Sequence, residues 1–472
     1  MGGLHEAIAP VHRPRTVDEL AAVFEDARRR GVRLTVVGGR RSFGEHFLPP
    51  EGAEALDATQ LGGEARALES DADGLWVRAP GATTFERLAR LFPGHLPWHP
   101  PTGDRITLAG ALSACTHDAV GFFANDVRAF TLVTPDGRAH HCAAEAPGLE
   151  GELFRHLPGS FGALGVVIEV ELRLRRVLEA QRAEINVLDK CARAEVGRAL
   201  DGLEAIYQRG EYPLGRGIFL FGRRGEVVLL GDRLVVPRPG ERVPPLPLTN
   251  DALAKNVYLQ AIANRFPAPT QRLLPHTFRK GQRFHAKLYP FLFFQRSYDR
   301  AYEVLSAEAL LPRLLRRAGF DPRLTVCHTT FAIPAAACLA FIELYQTCFD
   351  AFPETARRLE NQDIVRLPPC PWPLHGTYGM REGAYLFSPS FSVRRGSEHE
   401  GRVRALLAEV GRRAFEALGV KVLLLKQVHL DPAALARMHR PFIEALGAVR
   451  ARADPEGRLT SRLLERLDDL PG

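Results

Sequence analysis

Residues 33–44 have the sequence RLTVVGGRRSFG, a short β-branched stretch that runs directly into a glycine turn. Glycine lacks the Cβ that blocks a close approach, so Gly38 and Gly39 can bring backbone N–H groups against a phosphate. An ordinary tight turn would also account for this glycine pair. No G-x-x-x-x-G-K-[ST] motif occurs, and the glycine-rich residues 159–165 precede a predicted strand instead of following one. The pattern therefore does not favour a nucleotide-triphosphate enzyme or a simple Rossmann dehydrogenase.

A second stretch of small side chains covers residues 106–117, ITLAGALSACTH. Such a run suits a place where the backbone passes close to something flat or bulky, although a tightly packed helix could also use it. Taken alone, neither segment identifies a ligand.

The flanking periodicity predicts alternating helices and strands, and hence an α+β fold. The capping box Thr16-x-x-Glu19 predicts the start of the first helix, which Gly31 ends. Predicted helices cover residues 16–30, 84–92, 193–208, 335–349 and 398–417, and much of 431–470. Predicted strands cover residues 33–37, 75–79, 127–133, 138–143, 166–174, 384–393 and 421–425, with further strands near 217–235.

Composition limits the class of protein. The 472 residues are 46% hydrophobic and 25% charged, which predicts globular domains and excludes dominant disorder. The net charge of +7 comes from scattered arginines with no basic face, so no nucleic-acid partner is predicted. Seven cysteines without a C-x-x-C pair, no signal-peptide pattern and no long apolar span predict a cytoplasmic protein without membrane insertion. The histidines show no metal-ligand spacing, so no metal site is predicted.

In order and spacing, the glycine turn, residues 101–117, the 125–138 strand pair and the segment 153–170 resemble the FAD-binding domain of the vanillyl-alcohol oxidase superfamily (the PCMH-type domain). More faintly, residues 284–295, Lys426 and the segment 437–455 are similar to aldonolactone and alditol oxidases and to the oxidising flavoprotein of the decaprenylphosphoryl-ribose epimerase. The resemblance implies an FAD-binding domain at 1–178, an α+β substrate domain with an antiparallel sheet at 179–430, and a C-terminal helical segment at 431–472 that returns to the FAD domain.

The resemblance also implies which residues contact FAD. The glycine turn would hold the pyrophosphate, the second segment would lie along the pyrophosphate, ribityl chain and isoalloxazine, and a third segment would close over the cofactor. The implied FAD-binding residues are Val37, Gly38, Gly39, Arg40, Arg41, Ser42, Phe43, Pro101, Thr102, Thr107, Gly110, Ala111, Ser113, Ala114, Thr116, His117, Gly165, Val167 and Arg452.

Three departures from the family pattern matter. Many sugar-alcohol oxidases of the group carry a flavin-linked histidine where this chain has Arg41, so we expect FAD to be bound noncovalently. The usual His-Gly is His117-Asp118, in which the acid could either steady the histidine or impair the turn. Arg452 replaces the lysine of the epimerase flavoprotein and stays charged, so it could hold the flavin but not act as a base.

The candidates for substrate chemistry are Lys426 and His117. Hydride transfer from an alcohol needs a group that takes the hydroxyl proton, and a predicted strand over 422–425 would carry Lys426 into the site. A surface lysine is the alternative. Residues of lower rank, each more often structural than catalytic, are His285, Lys287, Gln295, Tyr378 and His439.

Together these features predict an FAD-dependent oxidoreductase that oxidises an alcohol or related C–H centre of a small organic substrate by hydride transfer to flavin N5. Oxygen or another acceptor would reoxidise the flavin. The aromatic residues Phe291, Phe293, Phe294 and Trp372 hint at a larger or more apolar substrate than a polyol, such as a secondary-metabolite intermediate. Alternatives are a redox-neutral or reductive flavoenzyme (cyclisation or double-bond reduction) and a non-catalytic flavin-binding partner protein.

Overall fold

The computed structural model describes residues 7–42, 44–99, 105–118, 120–178, 180–220, 225–242, 276, 278–286, 317, 324–352, 359–374, 380 and 382–469. The chain forms two compact units. The first unit contains the described residues of 5–178, 370–379 and 431–472, and the second unit contains those of 179–369 and 380–430.

The first unit begins with a small parallel sheet covered by one helix. Strands β1 (Val11–His12), β3 (Glu54–Asp57) and β2 (Leu34–Val37) pair in that order, and helix α1 spans Val17–Arg30. Leu20 and Phe24 of α1 are buried against the sheet, and each such side chain contributes about 1.5–3 kcal/mol. The hydroxyl of Thr16 accepts the N–H of Glu19, and Gly31 ends the helix with φ of 69°.

An antiparallel sheet forms the rest of the first unit's β-structure. Its order is β10-β9-β11-β5-β4, with β6 also paired to β11, while β7 and β8 form a separate two-stranded ribbon. The strands are β4 (Arg66–Ser70), β5 (Gly74–Pro80), β6 (His95–Pro97), β7 (His117–Asp118), β8 (Gly121–Phe122), β9 (Val127–Val133), β10 (Ala139–Ala143) and β11 (Val166–Arg176). The helices are α2 (Phe85–Leu91), α3 (Leu108–Ser113) and α4 (Gly148–His156).

C-terminal residues complete the first unit. Helices α8 (Pro432–Ala453) and α9 (Arg462–Asp468) both start at side-chain caps, from Asp431 and Ser461. Between them the chain runs beside β2, where the N–H of Leu34 donates to Arg458 O and the N–H of Thr460 donates to Leu34 O.

The second unit is built on one antiparallel sheet. Its order is β15-β12-β14-β13-β18-β19-β17-β20, with β16 also paired to β19. The strands are β12 (Arg182–Ala192), β13 (Gly215–Leu220), β14 (Glu226–Val235), β15 (Arg283–Ala286), β16 (Leu324–His328), β17 (Phe331–Pro334), β18 (Leu359–Leu367), β19 (Ala384–Arg394) and β20 (Lys421–Val422). The helices are α5 (Val196–Arg209), α6 (Cys338–Asp350) and α7 (Glu398–Leu418).

The predicted α+β class is confirmed. One predicted strand is wrong in extent, because β20 covers two residues instead of 421–425. After Val422 the chain turns, with the N–H of Lys426 donating to Leu423 O at 3.2 Å. Among the described helices, none combines the length and the apolar character that a bilayer crossing requires.

Candidate functional site

The glycine turn after β2 packs directly on the segment that starts α3. A Cβ built on Gly38 would lie 3.0 Å from Thr107 Oγ1, and one on Gly39 would lie 2.8 Å from the carbonyl oxygen of Arg105. A Cβ on Gly110 would likewise lie 2.9 Å from Thr107 Oγ1. Two segments that lie far apart in sequence are therefore in close contact, and side chains at Gly38 and Gly39 would separate them, whereas Gly110 leaves room for the capping hydroxyl of its own helix.

This close packing leaves hydrogen-bond donors at the turn. Within the part of the chain that the structure describes, the backbone N–H groups of Gly38 and Gly39 donate to no protein acceptor. Thr107 caps α3 through its hydroxyl, which accepts the N–H of Gly110 at 3.2 Å. Adjacent backbone N–H groups that are left without a protein acceptor on a glycine turn can together hold a phosphate or diphosphate.

A third segment joins the first two at the far end of α3. The carbonyl oxygen of Ser113 accepts the N–H groups of both Gly159 and Phe161, each at 3.0 Å. Between them, the hydroxyl of Ser160 is fully buried and has no hydrogen-bond partner among the described residues. An orphaned buried hydroxyl beside backbone donors is a feature that a polar ligand would satisfy.

Backbone strain marks the same three segments. Among the described residues, the non-glycine positions with positive φ are Arg40 (56°), Cys115 (47°) and Phe161 (53°). Arg40 lies in the glycine turn, Cys115 follows α3, and Phe161 lies in the third segment. Such conformations cost of order 1–3 kcal/mol each and cluster at ligand sites.

The two arginines of the turn have different surroundings. Arg40 is exposed and its guanidinium pairs with the buried carboxylate of Asp57 at the end of β3. Arg41 is half-buried and carries an Nε that is shielded from solvent. Both guanidiniums lie on the glycine turn, and either could offset the charge of a bound anion.

The other predicted FAD-binding residues follow the backbone of these segments. Val37 ends β2, Ser42 caps the N–H of Gly44 at 3.3 Å, and Val167 lies buried in β11. Phe43, Pro101 and Thr102 lie outside the described residues. Buried positions are Thr107, Ala111, Thr116 and Gly165, and half-buried positions are Gly110, Ser113, Ala114 and His117.

Two predicted residues lie apart from these segments. Arg452 is exposed on α8 and pairs with Glu152 of α4. Lys426 belongs to the second unit, where it lies half-buried in the turn after β20. The structure brings the predicted FAD-binding segments of the first unit together. It places Lys426 in the second unit, away from those segments in the fold's division.

Lys426 lies in a polar cluster of the second unit, formed by His328, Ser390, Lys426 and Gln427. His328 Nδ1 and Ser390 Oγ are 2.7 Å apart, and the N–H of His328 donates to Gln427 Oε1 at 2.8 Å. Burial of the imidazole, and secondly the positive charge of Lys426, hold the pKa of His328 well below its usual value. The imidazole is therefore neutral at pH 7 and can accept a proton.

Sequence analysis missed His328. It lies at the end of β16, about 100 residues before Lys426, and antiparallel pairing with β19 sets it beside Ser390. A polar run, His328-Thr329-Thr330, directly after an apolar strand was the available signal. The side chains of Thr329 and Thr330 extend the polar surroundings, bonding to Gln427 O and Ser388 Oγ.

The lower-ranked candidates have structural partners where they are described. His285 lies 3.4 Å from Glu184, and His439 is buried on α8. Lys287, Gln295 and Tyr378 lie outside the described residues, as do Phe291, Phe293 and Phe294.

Two further features of the described residues bear on ligands. No group of three His, Cys, Asp or Glu side chains that could hold a metal occurs among them. A cavity of about 400 Å³ in the first unit lies between the segment after β3 and the start of α2. None of the predicted site residues lines it, and its lining is Arg15, Thr59, Gln60, Leu61, Gly62, Gly63, Pro80, Ala82, Thr83 and Arg87.

Comparison with known families agrees with this geometry. Residues 8–143 match the sequence model of the FAD binding domain family, and this range contains the glycine turn and α3. No curated protein matches the chain. The N–H groups of Gly38 and Gly39, which have no acceptor among the described residues, fit the diphosphate of FAD, which is the cofactor of this domain. The match supports the predicted superfamily and indicates a flavin-dependent oxidoreductase.

Proposed function

We propose that this protein oxidises an alcohol or a related C–H centre of a small organic substrate with FAD. The observation that carries the proposal is the backbone-lined contact between the glycine turn and α3, within a range that matches an FAD binding domain. When bound, FAD supplies the hydride acceptor, its N5 atom. The remaining tasks belong to the chain's own side chains.

Binding of the cofactor rests on the first unit. The N–H groups of Gly38 and Gly39 would hold the diphosphate, with the guanidinium of Arg40 or Arg41 offsetting its charge. Thr107 and Gly110 keep the start of α3 against the turn. Since Arg41 occupies the place of the flavin-linked histidine of related oxidases, we expect FAD to dissociate on denaturation.

Removal of the substrate's hydroxyl proton rests on the polar cluster. A general base must be unprotonated at the operating pH and within hydrogen-bond reach of the proton that it takes. His328 meets the first condition because of its lowered pKa, and its ring also lies 2.7 Å from the hydroxyl of Ser390. We assign proton acceptance to His328, and the positive charge of Lys426 would stabilise a developing alkoxide.

Anaerobic mixing tests the reaction. The purified holoprotein is mixed without oxygen with a panel of primary and secondary alcohols, from polyols to apolar alcohols, and the visible absorption of the flavin is followed. Bleaching by an alcohol with formation of the matching carbonyl product supports the proposal. Bleaching by none of them, together with conversion of an unsaturated compound by pre-reduced protein, would replace it with reductive chemistry.

A second measurement separates cofactor binding from chemistry. Acid precipitation of the yellow protein should leave FAD in the supernatant, because no covalent link is expected. A yellow pellet would contradict the role given to Arg41. Admitting air after bleaching then identifies the acceptor, since rapid recovery of the colour with peroxide formation means that oxygen serves as one.

A further inference from the structure

The cavity of about 400 Å³ in the first unit lies at the carboxyl ends of two parallel strands. Arg15 follows β1 and residues 59–63 follow β3, and these residues line the cavity together with Pro80, which ends β5, and Thr83, which precedes α2. The parallel pairing of β1 with β3 sets both strand ends at one edge of the sheet. In open sheets with parallel strands, ligands bind in the crevice at this edge. The cavity therefore lies where such a sheet commonly holds a ligand.

Two arginines line this cavity, and no carboxylate is among the described residues that line it. The guanidiniums of Arg15 and Arg87 make no ion pair or hydrogen bond within the part of the chain that the structure describes. Two neighbouring acids are engaged elsewhere. The carboxylate of Glu19 accepts the backbone N–H of Arg15 at 2.7 Å, and the carboxylate of Asp57 pairs with Arg40. Two positive charges at the cavity are thus left for an anion to balance.

Other polar groups of the lining also have hydrogen bonds to give. Thr83 is only 2% exposed, and its hydroxyl bonds to no described residue. The side-chain amide of Gln60 and the backbone N–H of Gly63 donate to no described acceptor either. A hydroxyl that is nearly enclosed and has no protein partner is satisfied by whatever fills the space beside it. Guanidiniums, hydroxyl, amide and N–H together form a donor-rich lining that suits an oxyanion.

We infer that this cavity binds the phosphate monoester of a small organic molecule. At pH 7 such a phosphate carries a charge of about −1.5 to −2 and three acceptor oxygens, which match two guanidiniums and the hydroxyl of Thr83. The cavity has more room than a phosphate ion fills, and its volume lies within the range of about 300–1,000 Å³ that is usual for small-molecule sites. The organic part would pack on Leu61 and Pro80, the larger apolar side chains of the lining.

This site is distinct from the one predicted for FAD. None of the predicted FAD-binding residues lines the cavity. The carboxylate of Asp57 links the two, because it pairs with Arg40 of the glycine turn and accepts the hydroxyl hydrogen of Thr59 at 2.5 Å. The inference requires neither the proposed reaction nor an empty FAD site, so it can be tested on protein that keeps its FAD.

The test uses the full-length protein saturated with FAD, so that a phosphate probe cannot enter the FAD site. Calorimetric titrations with phenyl phosphate, glucose 6-phosphate and inorganic phosphate measure affinity and stoichiometry, and the flavin absorption checks that FAD stays bound. At least one of the two esters should bind once per chain with Kd below about 1 mM, and more tightly than inorganic phosphate. Absence of saturable binding would overturn the inference, and so would inorganic phosphate that binds as tightly as both esters.

Matched variants locate the binding. Arg15→Gln and Arg87→Gln should each weaken the tighter ester about 10–100-fold, because each removes a charge-assisted hydrogen bond, and both side chains are exposed, so the fold should be kept. Thr83→Val keeps the shape of the side chain without its hydroxyl and should weaken binding about 3–10-fold.

Arg66→Gln is the control for the loss of one positive charge. Arg66 is exposed on β4 of the same unit, has no ion pair among the described residues and does not line the cavity. The affinity for the ester should therefore stay within about twofold of the unmutated value. An equal loss in Arg66→Gln, or no loss in Arg15→Gln and Arg87→Gln, would show that the ester binds elsewhere and would contradict the assignment.

Discussion

The predicted FAD site of the first unit and the polar cluster of the second unit differ in the chemical groups that form them. The predicted FAD site is formed largely by backbone, since the glycines at 38 and 39 let two segments touch and their N–H groups, which have no acceptor among the described residues, could hold a phosphate. The polar cluster is made of side chains, His328, Ser390, Lys426 and Gln427, carried by β16, β19 and a turn. In the function we propose, the first group of residues would bind FAD and the second would contact the substrate.

This difference separates binding from chemistry in any mutational test. Changes at the glycines should weaken FAD retention without altering the proton acceptor. Changes in the polar cluster should slow turnover and leave the flavin in place. A single variant that changed both FAD retention and turnover at saturating FAD would contradict this separation of binding from chemistry.

The largest effect should come from Lys426→Met. Loss of the positive charge that acts on His328 removes the stabilisation of a developing alkoxide, so kcat with an alcohol that bleaches the flavin should fall by about 10²–10⁴-fold. FAD content, measured from the flavin absorption per protein, should stay unchanged. Lys421→Met is the matched control, because Lys421 lies on β20 outside the polar cluster. Full turnover in Lys426→Met would remove Lys426 from the mechanism.

Next in size is Gly39→Ala. The new Cβ would lie 2.8 Å from the carbonyl oxygen of Arg105, a backbone atom that cannot move aside cheaply, so the turn and α3 must separate. We expect FAD to bind about 10–100-fold more weakly, measured by titration of the apoprotein. At saturating FAD, kcat should return to the unmutated value.

Gly447→Ala provides the control for that change. Gly447 lies within α8 of the same unit, and a Cβ there meets nothing within 4 Å. Alanine should leave FAD affinity unchanged and stabilise the fold by about 0.5–1 kcal/mol. Equal losses of FAD in both variants would mean that glycine content, not contact with α3, governs the site.

The same contrast explains what could be predicted from sequence. The predicted FAD site lies in local segments with small residues whose order along the chain resembles a known family. Gly38, Gly39 and Thr107 could therefore be predicted as contacts of FAD, and the structure brings them close together. His328 reaches Ser390 through the pairing of β16 with β19, and it reaches Gln427 through a hydrogen bond across about 100 residues, which no local pattern encodes. The turn at Lys426 was also missed. The apolar run 422–425 has the composition of a strand, but the strand ends at Val422 and the buried residues after it form a turn.

The pH dependence of stability tests the buried state of His328. Its pKa is lowered on folding, so below about pH 6.5 the unfolded chain binds a proton that the folded chain does not. The contribution of His328 to the free energy of unfolding is therefore fully present above about pH 6.5. It declines as the pH falls toward the lowered pKa, by up to about 1.4 kcal/mol per pH unit. His328→Gln keeps a polar side chain without this titration. The variant should therefore lose less stability than the unmutated protein between pH 6.5 and 5.5 in denaturant titrations.

Equal slopes for the two proteins would mean that His328 titrates normally when folded. Lys426→Met gives the complementary check, because it removes the positive neighbour that helps to depress the pKa of His328. The difference between the unmutated protein and its His328→Gln variant should be larger than the same difference measured in a Lys426→Met background.

The smallest effect should come from Arg40→Gly, which tests whether charge or backbone governs the glycine turn. The φ of 56° at Arg40 suits glycine, so the substitution relieves strain of order 1 kcal/mol while it removes the ion pair with Asp57. Asp57 keeps the N–H and hydroxyl of Thr59 as donors. We therefore expect FAD affinity to change less than twofold and stability to change by less than about 1 kcal/mol. Arg41→Ala, by contrast, should weaken FAD binding severalfold, and the reverse ranking would show that Arg40 leaves Asp57 to contact the diphosphate.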